Sequence, residues 1–90
     1  MSTLAVEPAA RAADVRCDDE VLVVKLTDGR TLSVPLLWFP RLAAANKEER
    51  GRFQLIGEGE GIHWPDVDED ISVAGLLAGR ASAMYLRGRG

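Results

Sequence analysis

Cysteine is almost absent from this ninety-residue chain: Cys17 stands alone, so neither an internal disulfide nor a multi-thiolate zinc site can form. A small domain without such staples is typical of a reducing compartment, and the cytoplasm is the expected location. His63 is the single histidine, so imidazole chemistry has one candidate. Long apolar runs are missing too. Stretches such as Val34 to Pro40 fall far below the length that spans a bilayer. Residues 1–13 lack the basic start and continuous apolar segment of a secretory signal, so neither export nor membrane insertion is expected. Nor is there an excess of basic charge. Eleven Lys and Arg face fourteen Asp and Glu, giving a net charge of -3 and a pI near 5.0. Such a molecule repels polyanions as a whole, and a nucleic-acid contact would need a local basic patch.

What is present suffices for one core. Apolar residues make up 47% and charged residues 28%, the balance of a foldable chain rather than a disordered one. The length leaves no surplus for a second domain. Residues 1–13 lack an apolar period, and Pro8 interrupts any helix there, so they are expected to be a flexible leader. A single α+β domain is expected over 14–80. Residues 81–90, with Arg87 and Arg89 and no acid, are expected to form a basic flexible tail.

Within the domain, β-branched residues flank Thr27-Asp28-Gly29-Arg30 and predict a hairpin. Leu22, Val24 and Leu26 share one face of its first strand, and Leu32, Val34 and Leu36 the apolar face of its second. A two-residue loop would pair Leu26 with Thr31 and put these sets on opposite faces of the sheet. A three-residue loop pairs Val24 with Leu32 and Leu22 with Val34, with Gly29 left-handed, and this register is predicted. Val15 to Cys17 is expected as an edge strand. Pro40 suits the first turn of a helix over Trp38 to Ala45. Asn46 and Glu49 approximate a capping box for a short turn that Gly51 closes. A second hairpin is expected from Phe53–Ile56 and Ile62–Trp64 across Gly57-Glu58-Gly59-Glu60-Gly61. Ser72 is placed to cap a last helix over Val73 to Ala78. The fold class is thus a small two-layer α+β domain of antiparallel hairpins with two or three short helices.

Several residues look chemical. Asp66, Asp68 and Asp70 occupy the first, third and fifth places of a calcium loop, but Ile71 and Leu77 stand where that loop needs Gly and a bidentate acid, so a solvated acidic loop is expected. The glycines of 57–61 suggest a phosphate cradle. Such cradles open a helix, however, whereas Ile62-His63-Trp64 is strand-like, and Glu58 and Glu60 repel phosphate. For His63, Cys17 and Ser72 are nucleophiles by residue type only, and a structural histidine bonding a carboxylate or backbone group is the better account. No catalytic residue, cofactor site or metal site is assigned, and an enzyme is not expected. Trp38, Phe39 and Trp64 supply most of the aromatic content. They serve either as core or, for Trp38 and Trp64, as surface anchors.

The ordered run Asp28-Gly29-Arg30, Val34-Pro35-Leu36, Trp38-Phe39-Pro40-Arg41-Leu42, Phe53 to Gly61, Gly61 to Val73 and Gly75 to Gly79 resembles the small bacterial domain-of-unknown-function family 2442. The likeness covers roughly Val15 to Arg80. It implies an α+β domain. Some members resemble the partner encoded beside a small toxin-like protein in bacterial toxin–antitoxin pairs, and larger relatives carry a helix-turn-helix after this domain. Here Leu37 replaces the helix-capping Ser usual in the family, and the tail ends too soon for a DNA-reading helix pair. The expected function is therefore a non-enzymatic protein-interaction module, antitoxin-like, whose partner is a protein such as a small toxin-like one. The candidate contact residues are Trp38, Arg41, His63, Trp64, Asp66, Asp68, Glu69 and Asp70. A DNA-associated transcriptional regulatory domain using Arg41, Lys47, Arg50 and Arg52 with the basic tail is the alternative.

Overall fold

Turn chemistry sets the first sheet. The computed structural model describes residues 10–88. Strands β1 (Ala12–Cys17), β2 (Val21–Leu26) and β3 (Thr31–Pro35) form an antiparallel sheet in that order. Val24 faces Leu32 and Leu22 faces Val34, the register the three-residue loop requires. The Leu26 N–H donates to the Arg30 carbonyl at 2.8 Å, and Gly29 sits at φ +95°, where a side chain would be strained. Strand β1 starts at Ala12, two residues before the expected domain start. Its register jumps between Ala12 and Asp14, and this bulge lets Ala12 and Val15 both point into the core although they are three positions apart. Of the predicted leader, 1–9 lies outside the described residues.

The first helix is shorter than expected. A single 3-10 turn at Leu36–Trp38 precedes α1 (Pro40–Ala43), and Phe39 between them lies at φ -127°, ψ 84°. A residue before proline is pushed out of helical angles, and no side chain caps the start of α1, so the predicted Trp38–Ala45 helix breaks here. Helix α2 (Lys47–Gly51) begins with the predicted capping box. The Glu49 N–H donates to Asn46 Oδ1 at 2.8 Å, and the Asn46 N–H to Glu49 Oε1 at 2.9 Å.

The second sheet contains β4 (Gln54–Ile56), β5 (Gly61–Trp64) and β6 (Glu69–Ser72), again antiparallel in that order. Its first two strands are the predicted second hairpin. Strand β6 departs from expectation: half of the acidic loop is ladder. Ile71 is buried opposite Ile62, and this pairing draws Asp70 beside His63 and Glu69 beside Trp64. Ser72 then caps α3 (Val73–Leu77), accepting from the Gly75 N–H at 2.8 Å. Residues expected in the tail form α4 (Ala83–Gly88). The Ser82 hydroxyl accepts from the Met84 N–H at 3.1 Å, and the Ser82 N–H ties the segment to the Trp38 carbonyl at 3.0 Å. Arg89 and Gly90 lie outside the described residues.

One core cluster unites the inner faces of both sheets. Leu22, Val24, Ile62, Trp64 and Leu42 are fully buried within it, and Leu36, Val73 and Leu76 nearly so. The fold class is α+β, as the alternation of short strands and helices predicts. No helix among the described residues is long and apolar enough to cross a membrane.

The sheets meet at Gly59, in the turn before β5. Its φ is +97°, and a Cβ there would lie 2.5 Å from the Ala12 carbonyl oxygen of β1. Alanine at this position therefore combines left-handed strain with a forced backbone shift. Gly59→Ala is expected to lower stability by about 2 kcal/mol, read as a shift of the urea midpoint at unchanged slope.

Candidate interaction surface

Trp64 is not a surface anchor. It lies on β5, the central strand of its sheet, and is fully buried. Its indole N–H donates to the Arg50 carbonyl at 3.0 Å, and its ring lies 6.4 Å from that of Phe53 at 51°. Both its area and its polar group are used inside the domain. Trp38 is half-buried against the same core.

The remaining candidates fall into separate contacts, with Glu69 and Asp70 on opposite faces of β6. The Arg41 guanidinium donates to the Asp68 carbonyl at 2.7 Å and lies 3.9 Å from the Asp68 carboxylate. This joins the start of α1 to the turn before β6. Asp68 itself sits at φ 54°, a left-handed angle that aspartate tolerates better than most residues. Asp66 accepts from Arg52 Nε at 2.7 Å. His63 Nδ1 is in hydrogen-bond contact with Asp70 Oδ1 across the β5–β6 ladder, so the carboxylate partner of the structural histidine is Asp70. Glu69 makes no salt bridge among the described residues. Burial raises its carboxyl above the usual range, with the Arg41 charge opposing. It lines an open cleft of about 360 Å³ with Phe39, Ser72, Arg80 and Ser82. The three aspartates of the calcium-like spacing thus face three different partners, and no cluster of three metal-ligating side chains occurs among the described residues.

Neither nucleophile candidate is activated. The Ser72 hydroxyl caps α3, as described. Cys17, half-buried at the end of β1, has its thiol pushed up to about 11 by burial, while the Arg50 charge pulls it down. At pH 8 the folded chain should therefore react with iodoacetamide about 100-fold more slowly than the urea-unfolded chain. Because the folded value lies above the ordinary 9.0, the associated stability is complete below pH 9 and is lost as pH rises through about 11. Equal rates in the two states would reject this assignment.

Arg50 is the residue whose role differs most from expectation. Its side chain is only 10% exposed. Nε and Nη2 donate to the Leu42 and Ala43 carbonyls, each at 3.0 Å, and Nη1 reaches Asp19 at 2.8 Å. The guanidinium closes the C-terminal end of α1 and bolts it to the β1–β2 turn. Of the four cations proposed for DNA, Arg41, Arg50 and Arg52 are engaged within the domain. Lys47 has no ion pair among the described residues.

A groove of about 510 Å³ lies between α1 and α4, lined mainly by Leu37, Pro40, Ala43, Ala44, Met84 and Tyr85. Leu37 is 69% exposed. Contiguous apolar surface of this kind marks contact sites on soluble domains.

The fold that carries these features matches, over residues 12–82, the family described as a protein of unknown function (DUF2442). The chain belongs to this family. A protein of unknown function from Rhodospirillum rubrum ATCC 11170, solved by crystallography, is 31% identical with a TM-score of 0.73; the match covers 84% of this chain and 94% of that one, so the neighbour consists of little beyond this fold. An uncharacterized protein from Chromobacterium violaceum, solved by NMR, is 26% identical with a TM-score of 0.69, over 88% of this chain and 75% of that one. A search of curated proteins finds no match.

The groove, whose α4 wall lies beyond the segment matched to DUF2442, is what sequence reasoning missed. A signal existed: Ser82 precedes Ala83, Met84, Tyr85 and Leu86, a capping residue before an apolar group. The arginines at 80, 87 and 89 and the lack of any acid led instead to a tail.

Proposed function

We propose that this domain is a non-enzymatic protein-interaction module of the cytoplasm, antitoxin-like, and that it binds a small toxin-like protein encoded beside it. The exposed apolar groove between α1 and α4 carries this reading. Leu37 and Met84 contribute little to the domain's own core, and covering them would bury surface that water now meets. The Arg41–Asp68 junction and the Asp66–Asp70 side offer charged surroundings that select a partner and steer its approach.

Co-expression with the product of the neighbouring gene tests the reading. The two proteins are expected to co-purify and to associate at micromolar concentration, with the association lost in Leu37→Asp, a change at an exposed position that leaves the fold intact. Absence of association would reject the antitoxin version. The DNA-associated alternative has Lys47, Arg80 and Arg87 to draw on. A gel shift at low salt that fades as salt is raised would favour it instead.

A further inference from the structure

We propose that the α1–α4 groove receives the apolar face of an amphipathic helix, supplied by a protein partner, whose flanking side chains are acidic. This rests on the interaction reading above and specifies the partner's chemistry.

Shape argues for a helix. The groove runs between two helical segments: the 3-10 turn and α1, broken at Phe39, supply Leu37, Pro40, Ala43 and Ala44, and α4 supplies Met84 and Tyr85. A channel between two helical segments is where a third helix lies when helices pack side by side. Ala43 and Ala44 have no bulk beyond Cβ, so a neighbouring backbone can come close between the larger Leu37 and Met84. The volume of about 510 Å³ falls in the range of clefts that accept several apolar groups. A partner strand that extends a sheet would need a free strand edge, and the groove lining contains no strand residue.

Charge selects the partner. Within two positions of any lining residue, the charged residues among those described are Arg41 and Arg87, with no carboxylate among them. Arg41 is held by Asp68, but Arg87 makes no ion pair among the described residues. A second copy docked in the groove would bring the same arginines to the same seam, like charge against like. A helix flanked by glutamate or aspartate would place an opposite charge beside Arg87. The net charge of -3 does not prevent this, because salt screens exposed charges beyond about 8–10 Å.

Two synthetic helical peptides test the assignment, with the same leucines at helical spacing and differing only in glutamate or lysine flanks. Each is titrated into the full isotope-labelled chain and followed by amide NMR shifts. The glutamate-flanked peptide is expected to move the resonances of Leu37, Ala44 and Met84 and to bind about tenfold more tightly than its lysine counterpart. Arg87→Glu should reverse that order, and Leu37→Asp should abolish binding while shifts elsewhere stay unchanged. Equal affinity for both peptides, shifts confined to the β6 cleft, or no binding of either peptide would overturn the proposal. So would concentration-dependent self-association through these residues in sedimentation, which would assign the groove to a second copy. If the neighbouring gene's product associates equally with wild type and Leu37→Asp, the groove proposal fails and the interaction reading survives. If that product does not associate but the glutamate peptide binds in the groove, the antitoxin reading alone fails.

Discussion

Replacing Trp64 with alanine is expected to remove about 3–5 kcal/mol of stability, the largest loss at any single position of the core. A ninety-residue domain is stable by roughly 5–13 kcal/mol in all, so this variant should be partly unfolded at 37 °C. The side chain is the largest fully buried one in the domain. Its removal leaves a cavity between Ile62 and the α2 end that rigid β5 cannot collapse. Trp64→Phe separates two contributions. It retains most of the apolar volume but deletes the indole N–H and leaves the Arg50 carbonyl without its donor, an effect of about 1–2 kcal/mol. Urea unfolding monitored by far-UV circular dichroism measures both. A loss below about 1 kcal/mol for Trp64→Ala would contradict full burial, and a surface-anchor role would then have to be reconsidered.

Arg50→Ala is expected to cost about 3 kcal/mol. The substitution removes the guanidinium donor from the Ala43 carbonyl, leaves the Leu42 carbonyl only the Ala45 N–H, and releases α1 from the β1–β2 turn. Arg50→Lys should recover little, because an ammonium group cannot reproduce three diverging donors held in one plane. Asp19→Ala, by contrast, should change stability by less than about 1 kcal/mol, since the Asp19 carboxylate is almost fully exposed. This pattern distinguishes the carbonyl contacts from the ion pair as the source of the effect. Because Trp64 donates to the Arg50 backbone, the two sites share a network, and the double variant should lose less than the sum of the single changes. Strict additivity would argue against that coupling.

Legibility in the sequence followed the range of the interaction. The β2–β3 register was readable because a three-residue loop with glycine in one place admits a single pairing of Leu22, Val24, Leu32 and Val34. Asn46 and Glu49 identified their capping box, and Ser72 its helix, because donor and acceptor lie three residues apart. Strand β6 was obscured by composition. Four acids in five residues look solvated, and only the burial of Ile71 against Ile62 reveals that Glu69 and Asp70 are carried into a ladder. Arg50 was grouped with surface cations because nothing within its own turn indicates that its partners are Leu42, Ala43 and Asp19. The interaction candidates divided in the same way. Arg41 meets Asp68 and lies near Glu69, and Asp70 pairs with His63 across the ladder, whereas Trp64 is withdrawn into the core by the central position of its strand.

By itself the sequence determined an α+β domain, the register of its first hairpin, two helix caps and a glycine turn, and it pointed to the family. All of these depend on backbone angles and on hydrogen bonds between near neighbours, which residue type dictates directly. Only the tertiary structure decided which tryptophan is buried, that Arg50 serves the interior, and that α1 and α4 leave an apolar groove between them. Those outcomes depend on groups brought together from distant positions, such as Arg50 and Asp19, thirty-one apart. Packing selects such partners, and no local pattern encodes them.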